Sequence, residues 1–461
     1  MQNELLGLSQ CLSSHPVLNM NKEYRVKYLN ALECFVRNFS GSDIFAQEML
    51  NLYIEVLVGK ENYFYKLADT NGFMYGKRSD VWNNFIFGRV RSKWTDISKL
   101  KEFKLFRHRF ALLFDCCLIN AFDSPQKAGK IMWDIKSLFH EKYHPPMEQL
   151  YRLLYEGEET ENFESIKVQL KCWKKNKEFF SKSLRKILIT ANMSAGKSTL
   201  INALVGKKVN RTQNDACTAK IHYIFNKPYE DNYSYEWDYN LQMNADITTL
   251  MQDNPDNTSD EISVGTYFKS SVDITNRVCI IDTPGVNSSL NIEHRELSYN
   301  FIEKGKYDVV VCVMNASNIG TYDDIQHLQH IHEVLGKKKV VFVINQLDKF
   351  DKDEDDIIAC VERFKNDVEE IGFNNAIICP ISAYAGVLAK KKLYNENMTE
   401  IEKIELQMMI LKFQENEERM KKFFVHKEFV LQNKNADSED KDCLKLLYQS
   451  GITNLEKILF E

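Results

Sequence analysis

The sequence is poor in proline and glycine, with 8 and 18 of 461 residues, and this scarcity predicts long helices and few tight turns. It has 11 cysteines but no CxxC pair, and most of them lie in apolar runs. Such thiols behave as small hydrophobic groups, which favours a reduced compartment over a disulfide scaffold. No apolar run approaches the about 18 residues that span a bilayer, and the N-terminus lacks the basic leader of a signal peptide. The expected location is therefore cytoplasmic.

The charge balance argues against a generic nucleic-acid binder, because 60 basic and 65 acidic residues give a net charge of −5. A hydrophobic content of 44% is typical of a globular protein and excludes wholesale disorder. The length exceeds what one hydrophobic core usually organises, so two or three domains are expected. No internal repeat indicates a solenoid.

Two regions of different pattern divide the chain. Residues 1–180 carry apolar residues at helical spacing and predict an all-α domain. Residues 181–461 alternate short β-branched runs with helix-length segments, which predicts an α/β domain whose mostly parallel sheet is flanked by helices. Within this second domain we expect a polar insertion at about 227–262 and a helical insertion at about 390–449.

The strongest motif is a phosphate-binding loop, ANMSAGKST, between the predicted strand KILIT and a predicted helix. In such a loop, backbone N–H groups and the helix N-terminus bind phosphate, a lysine contacts the outer phosphate oxygens, and a hydroxyl binds Mg²⁺. Gly196, Lys197 and Ser198 fill the last positions, whereas Ala191 replaces the usual first glycine. The loop therefore predicts nucleotide binding.

Three further motifs follow predicted strands. Asp282, in DTPG, is placed to hold Mg²⁺ through water, and the Gly285 N–H is placed to face a γ-phosphate. Asp348, in NQLD, can accept two hydrogen bonds from guanine, and Ser382 and Ala383 follow the next strand. Because ligands of an open parallel sheet bind beyond the carboxyl ends of its strands, the four motifs predict one nucleotide site.

The segments NMSAGKSTLINALVG, DTPGVNSS, INQLDKF, ISAYAGVLAKKKLY and SGITNLEKIL together resemble the bacterial dynamin-like GTPases over about residues 186–461. The resemblance implies a P-loop GTPase domain that uses Mg²⁺ and converts GTP to GDP and phosphate by in-line attack of water. A monovalent cation is a further candidate cofactor. The resemblance does not reach residues 1–180, whose role stays open.

The resemblance also implies roles for individual residues. Lys197 would contact the β- and γ-phosphates, and Ser194 would lie over the γ-phosphate or over the monovalent cation. The switch threonine would be Thr218, with Thr212 as the alternative. The implied metal ligands are Ser198, Thr218 and Asp282, and the implied catalytic residues are Lys197, Thr218, Ser194 and Gly285. The implied nucleotide-binding residues are Asn192, Met193, Ser194, Ala195, Gly196, Lys197, Ser198, Thr199, Asn345, Gln346, Asp348, Ser382 and Ala383.

Three departures from the family pattern predict slow hydrolysis by a monomer. Met193 stands where eukaryotic dynamins place a glutamine, although bacterial members often carry an apolar residue there too. Val286 follows DTPG, so no glutamine is available there either, and Gln346 replaces the usual lysine of the guanine motif. A guanine-nucleotide-binding interaction module that hydrolyses little is therefore the alternative. The resemblance further implies dimerisation through the GTPase domain, with an anionic membrane or a separate stalk-bearing subunit as candidate partners. Arg295 is expected on the surface, with a catalytic role across a dimer as the alternative.

Weaker signals concern basic residues and histidines. Residues 76–110 hold ten lysines and arginines against three acidic residues, which predicts a solvated basic helical face, with anionic-lipid docking as the alternative. Basic residues within 167–186 predict a helix that joins the two domains. His327, His330 and His332 are expected to face solvent or a partner.

Overall fold

The computed structural model describes residues 3–59, 107–137, 139, 141–158, 163–192, 194–209, 220–246, 261–284, 292–335, 339–350, 356–425, 427 and 438–461. Helices and strands are numbered here in chain order over these residues. Most of the basic stretch 76–110, together with Met193, Thr212, Thr218 and Gly285, lies outside the described residues.

The N-terminal region is helical, as the sequence predicted. Its helices are α1 (Lys22–Ser40), α2 (Ile44–Leu57), α3 (Arg109–Ala121), α4 (Pro125–Lys136), α5 (His144–Tyr155) and α6 (Lys167–Phe180). Asn21 caps α1 by accepting a hydrogen bond from the Tyr24 N–H, and Asp43 caps α2 in the same way from Ala46. Helix α6 runs directly into the first strand of the sheet, which confirms the predicted connecting helix.

A buried carboxylate lies at the centre of the helical region. Asp115, on α3, accepts a hydrogen bond from the Tyr53 hydroxyl at Oδ1 (3.0 Å) and from the Tyr28 hydroxyl at Oδ2 (2.5 Å). His15 Nε2 lies 2.9 Å from the same Oδ2. Buried carboxylates are tolerated when such partners replace water. The cluster therefore fixes α1, α2 and α3 to the segment that precedes them.

The second region is a nine-stranded sheet over the described residues, with the order β4-β3-β5-β2-β6-β1-β7-β8-β9. The strands are β1 (Leu184–Ala191), β2 (Ile221–Asn226), β3 (Tyr235–Trp237), β4 (Leu241–Gln242), β5 (Glu261–Thr266), β6 (Arg277–Asp282), β7 (Val309–Asn315), β8 (Lys339–Asn345) and β9 (Ile377–Pro380). Strands β6, β1, β7, β8 and β9 are mutually parallel, whereas β2 is antiparallel to β6. The mostly parallel α/β sheet is confirmed.

Helices cover this sheet and bury its central strands. They are α7 (Lys197–Val205), α8 (Ile292–Lys304), α9 (Tyr322–Leu335), α10 (Ile357–Ile371), α11 (Ala383–Leu393), α12 (Glu400–Glu415), α13 (Glu417–Lys421), α14 (Ser438–Gln449) and α15 (Ile452–Phe460). Every residue of β6 is buried, as expected for a parallel sheet covered on both faces. Within the described ranges, no helix combines the length and the apolar content needed to cross a membrane.

The two expected insertions differ in how they join the sheet. Part of the polar stretch 227–262 extends the sheet, because β3 and β4 lie in it and β3 pairs antiparallel with β5. The stretch 390–449 instead supplies α12, α13 and α14. The division of the chain into domains stays a prediction.

The first residues of the chain pack on the sheet region, a contact that the sequence did not predict. Glu4 forms an ion pair with Arg277 of β6 at 2.7 Å. A Cβ atom added to Gly265, on β5, would lie 1.9 Å from the Leu6 carbonyl oxygen. Only glycine permits this approach of two backbones.

Substitution of this glycine tests the contact. We expect Gly265→Ala to destabilise the protein by about 1–3 kcal/mol or more, because the methyl group displaces Leu6 from the sheet. Gly129→Ala is the matched control, since its Cβ would meet nothing closer than the Tyr151 hydroxyl at 3.7 Å and it lies within α4. Thermal unfolding should show a lower melting temperature for Gly265→Ala only. Equal melting temperatures for the two variants would contradict the contact.

Candidate nucleotide site

The loop between β1 and α7 has the backbone that a phosphate-binding loop requires. Ser194 and Gly196 both have positive φ angles, of 66° and 83°. A Cβ atom on Gly196 would lie 2.5 Å from Asn345 Nδ2, so the conformation and the neighbouring side chain both require glycine. Helix α7 begins at Lys197, and its first turn contains Ser198 and Thr199, both half-buried. The helix N-terminus therefore faces the loop.

Two charged side chains meet beside this loop. The ammonium of Lys197 contacts the carboxylate of Asp282, which ends β6, and both side chains are largely shielded from solvent. The next residue, Thr283, is buried and donates a hydrogen bond from its hydroxyl to the Ile189 carbonyl of β1 at 3.3 Å. This bond fixes the position of Asp282 relative to the loop.

The Asn345 side chain joins three of the predicted motifs. Its Nδ2 donates to the Ala195 carbonyl at 3.0 Å and to the Gly196 carbonyl at 3.4 Å, and its Oδ1 accepts from the Ala383 N–H at 3.0 Å. Asn345 ends β8 and is 2% exposed. One buried amide therefore holds the loop, the end of β8 and the start of α11 together.

The predicted base-recognition residues lie in the same place. Asp348 Oδ1 accepts a hydrogen bond from the Ser382 hydroxyl at 2.6 Å, and Ser382 also caps α11 through the Ala385 N–H at 3.1 Å. Gln346 has a φ angle of 70° and donates from Nε2 to the Ser194 carbonyl at 2.7 Å. Its side chain is therefore directed toward the phosphate-binding loop.

Two contacts at the site were missed from the sequence. Lys412, on α12, donates from its ammonium to the backbone carbonyl of Asp348 at 2.6 Å. Asn192 donates from its amide to the carboxylate of Asp324, at the start of α9. Burial raises the pKa of Asp324, and hydrogen bonds from Asn192 and Thr321 oppose that shift. No local spacing in the sequence signals either contact.

The expectation for His327 was wrong. The side chain is 1% exposed, and its Nε2 lies 3.3 Å from the Thr190 hydroxyl of β1. The rings of His327 and His330 both lie near Tyr299 of α8, at centroid distances of 6.0 and 4.1 Å. The cause is that α9 packs on the sheet with its His327 face inward.

A buried ion pair supports the far end of α7. Lys390 of α11 and Glu456 of α15 approach to 2.5 Å with side chains 1% and 0% exposed. Lys390 also donates to the Leu204 carbonyl near the end of α7 at 3.4 Å, and Glu456 accepts from the Ser271 N–H at 2.8 Å. Burial lowers the pKa of Lys390, while the neighbouring Glu456 opposes the shift. These bonds connect the last helix of the chain to the helix of the loop.

The donor set fits Mg²⁺, which prefers oxygen ligands. Ser198 is the second residue of α7 and offers a hydroxyl oxygen. The Asp282 carboxylate lies beside Lys197 at the end of β6, which is the neighbour of β1 in the sheet. Within the described ranges, no group of three or more His, Cys, Asp or Glu side chains forms a self-sufficient metal site. A metal here would therefore share its shell with a bound phosphate and water.

Comparison with known sequences matches one part of the chain to a family. Residues 187–347 match the dynamin family. An uncharacterized protein in the xynA 3′ region of Caldicellulosiruptor sp. (strain Rt8B.4) is 31% identical over 253 residues, 53% of this chain and 59% of that protein. The probable transmembrane GTPase FZO-like, chloroplastic, of Arabidopsis thaliana is 26% identical over 206 residues, 44% of this chain and 20% of that protein. The chain thus spans less than two thirds of either relative.

Solved structures give weaker similarities. Era in complex with MgGDPNP and 16S ribosomal RNA nucleotides is 18% identical, with 46% of this chain and 56% of that chain covered and a TM-score of 0.28. The G domain of the T. maritima FeoB iron transporter is 15% identical, with coverages of 44% and 89% and a TM-score of 0.25. At these scores the similarities carry no argument about this chain.

Replacement of the central amide tests the geometry of the site. We expect Asn345→Asp to destabilise the protein by about 1–3 kcal/mol, because a carboxylate cannot donate to the Ala195 and Gly196 carbonyls and repels them. Asn276→Asp is the matched control, because the Asn276 amide makes a solvent-exposed hydrogen bond to the neighbouring Thr275 hydroxyl at 3.5 Å. Chemical denaturation measures both. An unchanged Asn345→Asp midpoint would show that the amide does not hold the loop.

Proposed function

We propose that this chain binds GTP and hydrolyses it to GDP and phosphate, a proposal that the match of residues 187–347 to the dynamin family supports. The observation that supports this proposal best is the meeting of four motifs at one sheet edge, where Asn345 bridges the phosphate-binding loop to the base-recognition loop. The Asn345 amide contacts the phosphate-binding loop through Nδ2 and, through Oδ1, the start of α11, where Ser382 bonds the carboxylate of Asp348. A nucleotide has the matching polarity, with phosphates at one end and a base at the other.

The phosphate end of the proposed site is built for negative charge. Backbone N–H groups of residues 194–198 and the N-terminus of α7 provide positive potential. Lys197 provides a full charge, and on nucleotide binding its ammonium would exchange the Asp282 carboxylate for phosphate oxygens. Ser198 and Asp282 would hold Mg²⁺, whose chemistry when bound is to neutralise phosphate charge.

The base end of the proposed site selects guanine. A carboxylate accepts from both the ring N–H and the exocyclic amine of guanine, a pair that adenine does not present. Asp348 already accepts from the Ser382 hydroxyl at 2.6 Å, and Lys412 fixes its backbone at 2.6 Å. We therefore assign base recognition to Asp348, and its positioning to Ser382 and Lys412.

The catalytic assignments rest on the family resemblance. Lys197 would stabilise charge at the transferred phosphate, while Ser194, Thr218 and Gly285 would position water and the γ-phosphate. Dimerisation through the GTPase domain, a monovalent cation, and action at an anionic membrane or with a stalk-bearing subunit belong to the same proposal.

The alternative, a binding module with little hydrolysis, is favoured by Met193, Val286 and Gln346. Phosphate release that rises with protein concentration would support the enzyme, and tight GTP binding without turnover would support the module.

Removal of the loop lysine tests the proposed activity. We expect Lys197→Ala to weaken GTP binding at least about 100-fold and to abolish phosphate release, because the charge on the outer phosphates is then unpaired. Lys208→Ala is the control, because Lys208 is an exposed lysine shortly after α7. Titration calorimetry and phosphate release with Mg²⁺ measure both effects. If the wild-type protein binds neither GTP nor GDP at millimolar ligand concentration, the proposal is wrong.

Removal of Lys412 tests the base end of the site. We expect Lys412→Met to weaken GDP binding about 10-fold, the effect of losing one charge-assisted hydrogen bond. It should also reduce the preference for GTP over ITP, which lacks the exocyclic amine, because Asp348 is then less firmly placed.

The controls separate positioning from folding. Lys403→Met alters a lysine on the same helix that pairs with Glu400 at 2.6 Å, and it should leave both affinities unchanged. Lys412→Arg should restore part of the GTP preference. If Lys412→Met weakens GTP and ITP equally, Lys412 does not position Asp348.

A further inference from the structure

Helix α12 exposes a continuous apolar face. Ile401, Ile404, Met408 and Leu411 are 69%, 63%, 62% and 65% exposed. The opposite face of the helix is buried through Leu406 and Phe413, at 4% and 2% exposure, and the helix packs against α11 and α14. Single exposed apolar side chains are ordinary, but a contiguous row of four marks an interaction surface.

The spacing of this face matches helix pairing. The four residues are separated by three, four and three positions, which is the a and d pattern of two heptads. Such a seam is complementary to a copy of itself, since the a residues of one helix pack against the d residues of an antiparallel partner. The face therefore accepts a second α12 without any change in sequence.

The flanking residues decide between the possible occupants. Helix α12 holds four glutamates and only two lysines, a composition that anionic membranes repel and that differs from the lysine-rich face of interfacial helices. A parallel pair would place Glu400 of one copy against Glu405 of the other on both sides of the seam. An antiparallel pair has one like-charge contact, Glu405 with Glu405, and otherwise brings Gln407 near Gln407 and Glu400 near Gln414, so it suffers less repulsion.

We propose that α12 is a self-association surface, on which a second copy of this chain packs its own α12 in antiparallel orientation. Ile401 of each copy then packs against Leu411 of the other, and Ile404 against Met408. One helix face is smaller than the about 800 Å² per partner of a standard interface, so the dimer should dissociate in the micromolar range. The contact needs no nucleotide, and its formation does not require that the chain hydrolyse GTP.

Sedimentation velocity without nucleotide tests this association. We expect the wild-type protein to show a concentration-dependent dimer, and Met408→Glu to weaken it at least 10-fold because two carboxylates enter the seam of each dimer. Trp133→Glu is the matched control, since Trp133 is 63% exposed on α4, and it should associate like the wild type. A wild-type protein that stays monomeric at concentrations up to about 100 times the expected micromolar dissociation constant overturns the proposal.

Cross-linking tests the orientation. In a Cys34→Ser background, which removes an exposed native thiol, Ile401→Cys and Leu411→Cys proteins are oxidised separately and as a mixture. Antiparallel packing brings the two introduced thiols together only in the mixture, because identical positions lie ten residues, about 15 Å, apart along the axis, beyond disulfide reach. Cross-links in the separate samples, where only identical positions can meet, contradict the antiparallel contact. Binding to anionic vesicles that Met408→Glu abolishes, with no dimer in solution, assigns the face to a membrane and overturns the proposal.

Discussion

The side-chain amide of Asn345 is the constraint on which the site depends. It donates to two carbonyls of the phosphate-binding loop and accepts from the first N–H of α11. Because the amide is buried, a lost partner leaves a polar atom without water. The same contact requires glycine at position 196, since the amide occupies the space where a Cβ atom would be. The loop conformation therefore depends on the position of the last residue of β8.

The helices after β9 belong to the site as much as the sheet does. The buried pair of Lys390 and Glu456 joins α11 and α15 and reaches the carbonyl of Leu204 on α7. Lys412 of α12 reaches the loop that carries Asp348. A buried ion pair leaves a costly unpaired charge when one partner moves. The position of α15 is therefore closely tied to that of α11 and, through Leu204, to that of α7. The stretch 390–449, which resembles an insertion in the sequence, thus helps to position the loop that carries Asp348.

The sequence predicted the parts that depend on local pattern. The strands follow from short β-branched runs, and the order of the motifs follows from where those strands end. The missed contacts join distant residues: Lys412 and Asp348 are 64 positions apart, and Asn192 and Asp324 are 132 apart. Such pairs are fixed by how helices pack on the sheet, which no local pattern encodes. The burial of His327 was missed for the same reason.

The glutamine in the guanine motif has a different meaning in the structure than in the sequence. In the sequence, Gln346 is only a departure from the usual lysine of the guanine motif. In the structure the Gln346 amide donates to the Ser194 carbonyl and so holds the phosphate-binding loop, while a lysine from α12 contacts the base-recognition loop. Under the proposed function, the lysine that supports the base-recognition loop is therefore Lys412 of α12 and not a residue of the guanine motif. The same helix carries the exposed seam, and Lys412 is adjacent to Leu411 of that seam. A second copy packed there would therefore restrict the helix that contacts the loop of Asp348.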